Sequence, residues 1–238
     1  MQRPEMILFD YGDTLLTEPE FDGVRGMRAL FPCMTANPEN CTAQQLAKES
    51  FALFEEYAPV RKMGFELHEW PLNRLLFESH GIEFTIDEAQ IEQIFWENAC
   101  PGAVVLHADE MLAELNALGI RTGVISNIGW SGRALTHRLN RLLPGSTFEF
   151  VLTSADYMVR KPDPRLFRVA CHKAGLPPEK IWFCGDNLRC DVEASANAGM
   201  TPVWYCTDSV ENSPVVDTES LRIGDWRELI EIVKELSV

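Results

Sequence analysis

The feature that most constrains this chain is a series of short apolar runs, each stopped by a polar residue. Residues 6–9 (MILF) stop at Asp10, and similar runs end at Ser126 (TGVIS), Thr153 (FVLT), Cys184 (IWFC) and Cys206 (VWYC). Runs so short and so continuously apolar read as strands buried on both faces of a parallel sheet. Between them, residues 109–118, 131–143, 164–174 and 188–198 carry helical periodicity, and 225–236 makes a last helix. A βαβα alternation requires right-handed crossovers, so the predicted fold is α/β, a doubly wound, Rossmann-like parallel sheet.

Residues 17–98 break that rhythm. Amphipathic helices are predicted near 42–57, 66–80 and 87–98, with no convincing strand between them. The strand at 6–9 must find its sheet neighbours after residue 120, so this stretch has to leave the core and return. It is expected to form a smaller α-helical cap beside the end of the first strand. The expected division is a core domain of residues 1–16 and 99–238 and a cap domain of 17–98, with hinges near Thr17 to Phe21 and near Pro101 to Gly102.

Charge bounds the partners. With 36 acidic against 21 basic residues the net charge is −15, which repels nucleic acid and anionic membranes alike. The first apolar run is too short for a signal peptide or a membrane span. Seven scattered cysteines with no CxxC pair fit reduced thiols, so a cytoplasmic monomer or homodimer is expected. The five histidines form no HxH or HExxH pattern, and no zinc site is expected. Cys184, inside an apolar run, reads as core rather than nucleophile, whereas Trp130 has two readings, packing or stacking on a substrate.

In an open α/β sheet, ligands bind outside the carboxyl ends of the strands. Those positions hold Asp10 and Thr14 (DYGDT), Ser126 and Asn127, and Asp186 after Gly185 with Asp191 five residues on; Lys161 stands in RKPDP. Taken singly, each has an ordinary reading as a turn, a helix cap or a surface charge. Together they set an acidic nucleophile, hydroxyl and amide donors, one Lys and an acidic pair on one sheet edge. That combination suits phosphoryl transfer.

The set FDxxxT, ISN, KPDP and GDxxxxD, with the stretch KPDPRLFRVACHKAGLPPEKIWFCGDNLRCDVEASANAGMTPVW, resembles the haloacid dehalogenase-like superfamily over the whole chain. The resemblance implies a Mg²⁺-dependent hydrolase, most readily a phosphatase of small phosphorylated molecules that forms an aspartyl phosphate at Asp10. It implies Asp10, Asp186 and the Gly12 carbonyl as metal ligands, with Asp191 holding a metal-bound water or orienting its neighbours. Tyr11, Gly12, Ser126, Asn127 and Lys161 would surround the substrate, and Thr14 would order the turn. A carboxylate attacking a phosphate dianion needs positive charge nearby, which Mg²⁺ and Lys161 would supply.

One departure matters. The family's phosphatases carry a second Asp two residues after the nucleophile to protonate the leaving group, and here that position is Gly12, followed by Asp13 where Gly is usual. General acid-base help is worth about 10² to 10⁴ in rate. Three readings stay open: Asp13 or a cap side chain replaces the acid; the leaving group needs little protonation; or the chemistry is phosphonatase-like, with a cap Lys forming a Schiff base for which only Lys48 and Lys62 are at hand, or dehalogenase-like. A non-catalytic binding or regulatory protein is the rival from another class. Retention of Asp10, Lys161 and Asp186 argues for an enzyme.

Overall fold

The computed structural model describes residues 1–18, 20–207 and 218–236. In chain order, β1 (Met6–Phe9) and the short β2 (Leu16–Thr17) precede α1 (Gly23–Leu30), β3 (Met34–Ala36), α2 (Ala43–Tyr57), α3 (Pro59–Lys62), α4 (Glu69–Ser79), β4 (Glu83–Phe84) and α5 (Glu88–Ala99). Then follow β5 (Ala103–Val104), α6 (Ala108–Ala117), β6 (Arg121–Ser126), α7 (Gly132–Leu142), β7 (Phe148–Thr153), α8 (Ser154–Tyr157) and α9 (Pro164–Ala174). The chain continues through β8 (Ile181–Gly185), α10 (Ala194–Asn197), β9 (Thr201–Tyr205), β10 (Leu221–Ile223) and α11 (Trp226–Glu235).

The apolar runs assemble as the sequence predicts, into a parallel sheet of order β10-β9-β8-β1-β6-β7. Every residue of β1 is buried, with Ile7 and Phe9 in the cluster on one face and Met6 and Leu8 in that on the other, the two-residue period of a strand. Helix α9 covers the second face, while α6, α7 and α11 pack on the first. The chain winds outward from β1 through β6 to β7, then returns to β8 on the other side of β1. Winding therefore reverses at β1, and the connections leaving β1 and β8 part there to open a crevice.

Among the described residues, no strand of 17–98 joins that sheet. The expectation of a strand-free insert needs correcting, because β3 and β4 pair antiparallel with Met34 opposite Phe84, and the helix α1 lies ahead of those predicted. Helices α2 and α5 start at reciprocal capping boxes, Thr42 with Gln45 and Asp87 with Gln90. Where the insert departs and returns, β2 pairs antiparallel with β5, Leu16 opposite Val104. Both expected hinge regions lie at this pair; Pro19, within the first, is outside the described residues. The helix predicted over 188–198 begins instead as a wide π-helical turn, Leu188–Glu193, and becomes α-helical only at α10.

The insert has no separate core. Met27, Leu30, Leu46, Leu76, Phe95 and Trp96 belong to the same buried cluster as Ile7, Phe9, Val124 and Leu139 of the sheet side. Arg138 on α7 fastens this junction although it is 1% exposed. Its Nη1 donates to Tyr11 Oη and to Glu18 Oε1, both at 3.1 Å, and its Nη2 donates to the carbonyls of Trp96 (3.1 Å) and Cys100. The guanidinium also lies 3.6 Å over the Trp96 ring. Trp130 stacks on the other aromatic system of this region, 5.2 Å from Trp96 at 17° between planes, and is 6% exposed. It packs. Among the described residues no helix is long and apolar enough to cross a membrane.

Candidate active site

The site grows from the reversal point of the sheet. The Asp10 N–H donates to Cys184 O at 2.8 Å, prolonging the β1–β8 ladder by one residue and fixing Asp10 at the mouth of the crevice. The chain then folds into a tight turn in which the N–H groups of Leu15 and Leu16 donate to Tyr11 O, and that of Asp13 to Leu16 O. Thr14 is buried in this turn and donates its hydroxyl to Asp186 Oδ1 at 3.3 Å, coupling the ends of β1 and β8. Across the crevice, Asn127 Nδ2 donates to Lys161 O (2.9 Å) while the Lys161 N–H donates to Asn127 Oδ1 (2.7 Å). This reciprocal pair holds Lys161 by its backbone.

The Lys161 ammonium donates to Asp10 Oδ1 at 2.5 Å and to Asp191 Oδ1 at 2.6 Å. Asp191 Oδ2 accepts the Asn187 N–H at 3.0 Å. Carboxylate oxygens of Asp10, Asp186 and Asp191 lie within 4.8 Å of one another. Together with Gly12, Ser126 and Asn127 these residues line a cavity of about 400 Å³.

Charge is unbalanced here. Burial pushes the Asp10 carboxyl up to about 7, Lys161 pulling it down and Asp191 and Asp186 adding to the rise. Burial likewise raises Asp186, with Asp191 next in weight. Burial disfavours the Lys161 ammonium, but Asp10 and Asp191 more than offset this and hold it protonated. One ammonium thus faces three carboxylates, an all-oxygen donor set with surplus negative charge, which fits a hard divalent cation such as Mg²⁺.

Asp10, Gly12, Ser126, Asn127, Lys161, Asp186 and Asp191 are brought together as the sequence predicts, whereas two residues stand differently. Tyr11 borders the cavity, but its ring is 2% exposed and its hydroxyl is spent on Glu18 Oε1 at 3.0 Å while accepting from Arg138. Its hydroxyl is thus engaged within the protein. Asp13 is exposed, has a left-handed φ of 54°, and lines a neighbouring cavity with Asp186, Trp204 and Tyr205 rather than the one at Asp10. Successive side chains on the turn diverge, which turns Asp13 toward that second cavity. Lys48 and Lys62 are exposed and stand outside the cavity lining.

The sequence reading misses what the insert and its surroundings contribute. Phe54, Arg61, Glu66, Glu69 and Arg160 line the same cavity. Glu66 is 5% exposed; it accepts from the Ser154 hydroxyl at 2.6 Å and pairs with Arg61 (3.1 Å) and Arg160. Only Arg160 has a visible signal, its place beside Lys161 in the RKPDP motif.

The tight seat of Asp191 yields a test. A Cβ on Gly185 would collide with the Asp191 carboxylate, so Gly185→Ala is expected to displace that group and weaken Mg²⁺ binding by about 10- to 100-fold. Titration calorimetry with a melting-curve control measures it; unchanged metal affinity would remove Asp191 from the metal's surroundings.

Residues 4–199 match the family model for haloacid dehalogenase-like hydrolase. The chain belongs to this family of hydrolases. Among relatives of the family, the chain is 39% identical over 82 residues to phosphoserine phosphatase of Thermus thermophilus, covering 34% of this chain and 32% of that protein. It is 33% identical over 142 residues to haloacid dehalogenase-like hydrolase domain-containing protein 3 of Homo sapiens, covering 58% and 55% of the two chains. The matched stretches thus span about a third and about half of those relatives' lengths. In three dimensions the chain is similar to 2-haloacid dehalogenase from Pseudomonas syringae, with a TM-score of 0.62, 20% identity and 99% of each chain covered. That likeness is one of fold.

Proposed function

We propose that this hydrolase is a Mg²⁺-dependent phosphatase of a small phosphorylated metabolite, working through an aspartyl phosphate on Asp10. The observation that carries the reading is the Asp10 carboxylate, held by Lys161 beside Asp186 and Asp191 in one cavity with Ser126 and Asn127. Asp10 Oδ1 is engaged by Lys161, which leaves Oδ2 to attack phosphorus. The Ser126 hydroxyl, the Asn127 backbone and the Lys161 ammonium bind the phosphoryl oxygens as charge spreads over them. Asp10, Asp186 and the Gly12 carbonyl would hold Mg²⁺, with Asp191 orienting that set. When bound, the metal supplies the positive charge that lets an anionic nucleophile approach a dianion.

In this reading residues 1–16 and 99–238 are the core, and 17–98 is a cap that excludes water from the reaction. It is supported by the side chains that Arg61, Glu66 and Glu69 send into the cavity. A surplus of carboxylates favours metal-bound phosphate over a carbon–halogen substrate, and the exposed Lys48 and Lys62 disfavour Schiff-base chemistry on a phosphonate. The net charge disfavours nucleic acid and anionic membranes as partners, and the cavity suits a small phosphorylated molecule; in this reading the protein is a cytoplasmic monomer or homodimer.

The test is phosphate release over a metabolite panel, with Mg²⁺ and with EDTA. Turnover is expected with Mg²⁺, to vanish with EDTA and to return when Mg²⁺ is restored. Beryllium fluoride added with Mg²⁺ should mimic the aspartyl phosphate and stabilise the fold by about 2.7 kcal/mol at a hundred times its Kd. Stabilisation without turnover on any ester would favour a binding protein; neither effect would sink the reading.

A further inference from the structure

Gly12 has no side chain to give a proton, and Asp13 faces another cavity, so the acid for the leaving oxygen has to come from elsewhere in the lining. Apart from Asp10, Asp186 and Asp191, the carboxylates there are Glu18, Glu66 and Glu69. Glu18 accepts from the Tyr11 hydroxyl, from Trp96 Nε1 at 3.2 Å and from Arg138. Glu66 accepts from Ser154 and the Leu67 N–H and pairs with Arg61 and Arg160. Both carboxylates are thus already engaged by cations and hydrogen-bond donors.

Glu69 differs from both. Among the described residues its carboxylate has no hydrogen bond and no ion pair within 4.0 Å, yet its position is fixed. Its own N–H donates to Gly129 O at 2.8 Å, and its side chain rests on Gly129, where an added Cβ would lie 3.1 Å from Glu69 Cγ. The carboxyl therefore stands over the loop that follows Ser126 and Asn127, on the cap side of the cavity that holds Asp10. Burial raises it to about 7, with Arg61 of α3 opposing and Glu66 and Glu92 of α5 adding to the rise. A group with that affinity exchanges protons readily near neutral pH.

We propose that Glu69 is the general acid and base of the reaction, reaching in from the cap to fill the role left open by Gly12. The proposal rests on the phosphatase reading above. In the first half, an Asp10 oxygen forms its bond to phosphorus, the P–O bond to the leaving group breaks, and the Glu69 proton passes to the departing oxygen to release an alcohol. In the second half, the Glu69 carboxylate takes a proton from water as that oxygen attacks phosphorus. The bond to Asp10 breaks, inorganic phosphate leaves, and Glu69 is again protonated.

The test compares β-glycerophosphate, whose alkoxide needs a proton, with acetyl phosphate, whose acetate does not. Glu69→Gln is expected to slow aspartyl phosphate formation from β-glycerophosphate by about 10² or more, to leave its formation from acetyl phosphate nearly unchanged, and to slow hydrolysis of the intermediate from either. Glu69→Asp should recover part of the loss. Because the acid must be protonated, kcat/KM for β-glycerophosphate should fall as pH rises through about 7. Acetyl phosphate should not show that limb, and the Gln variant should lose it. Equal losses in aspartyl phosphate formation from the two substrates, or a pH limb that survives in Glu69→Gln, would overturn the assignment. If the variant does not fold, the wild-type limbs decide: the same limb on both esters overturns it. Absence of any aspartyl phosphate from acetyl phosphate in the wild type would instead strike the phosphatase reading itself.

Discussion

Asp10→Asn is expected to abolish phosphate release, by about 10⁴-fold or more, the scale on which removal of a covalent nucleophile acts. An amide nitrogen or oxygen does not form the phosphoryl ester, and no other carboxylate stands in its place, since Asp186 is tied to Thr14 and Asp191 to Lys161 and Asn187. The same substitution should not weaken the fold. Without metal, burial holds the folded-state pKa of Asp10 above its unfolded value of 3.8, at about 7. The folded state therefore binds this proton more tightly than the unfolded one, and Asp10 lowers stability as pH rises from about 4 through 7. Asn carries no such charge, and Lys161 keeps Asp191 as its partner. At neutral pH without metal the variant's melting temperature should equal or exceed that of the wild type. Turnover within about 10² of the wild type would mean that another group is the nucleophile.

The second large effect is a rescue. In a Glu69→Gln background, the double change Gly12→Asp with Asp13→Gly should raise hydrolysis of β-glycerophosphate by about 10², the lower end of general acid catalysis. In the wild type it should gain much less, since residues that act as a unit are not additive. The turn can take the exchange: a Cβ at Gly12 meets nothing within 4 Å, and Gly12 is not left-handed, whereas Asp13 sits at φ 54°. Placing Gly at 13 relieves about 1 kcal/mol of left-handed strain, a rise of about 2 °C in melting temperature for a chain of this length. Equal gains in both backgrounds would show that Glu69 and position 12 serve different steps. Matched Mg²⁺ affinity guards against a disturbed metal site.

How far the molecule can be read from its sequence depends on whether the signal is local. Strands β1, β6, β8 and β9 are legible because burial on both faces leaves an apolar run, and Asp10, Asn127 and Asp186 stand where those runs end; at the edge, β7 shows only its last four residues because Glu149 is exposed. Strand β10 escapes notice: Leu221, Arg222 and Ile223 are too few to show a period, and Arg222 interrupts them. In α1 the glycines 23 and 26 lower the helix propensity, and packing on α5 offsets this. Glu69 gives no hint of a role, being the first residue of a helix with an acidic first turn, an ordinary place for Glu. Its place in the cavity that holds Asp10 comes from the path of the insert, which no short window contains. Asp13 misleads for the opposite reason: adjacency to the motif is visible, but the direction of its side chain is decided by a left-handed turn.

The buried Arg138 bears on how such a chain can diversify. One guanidinium is committed at once to the first turn through Tyr11, to the outgoing connection through Glu18, and to the returning helix through the carbonyls of Trp96 and Cys100. A foreign insert spliced onto this sheet would have to reproduce all of those acceptors or strand a charge inside the protein, at a cost of several kcal/mol. Wholesale exchange of the insert is thereby penalised, whereas α2, α3 and the start of α4, which send Phe54, Arg61 and Glu69 toward the cavity, supply none of the Arg138 hydrogen-bond acceptors. New specificities are easiest to reach by point changes in those outer helices, with the junction inherited unaltered.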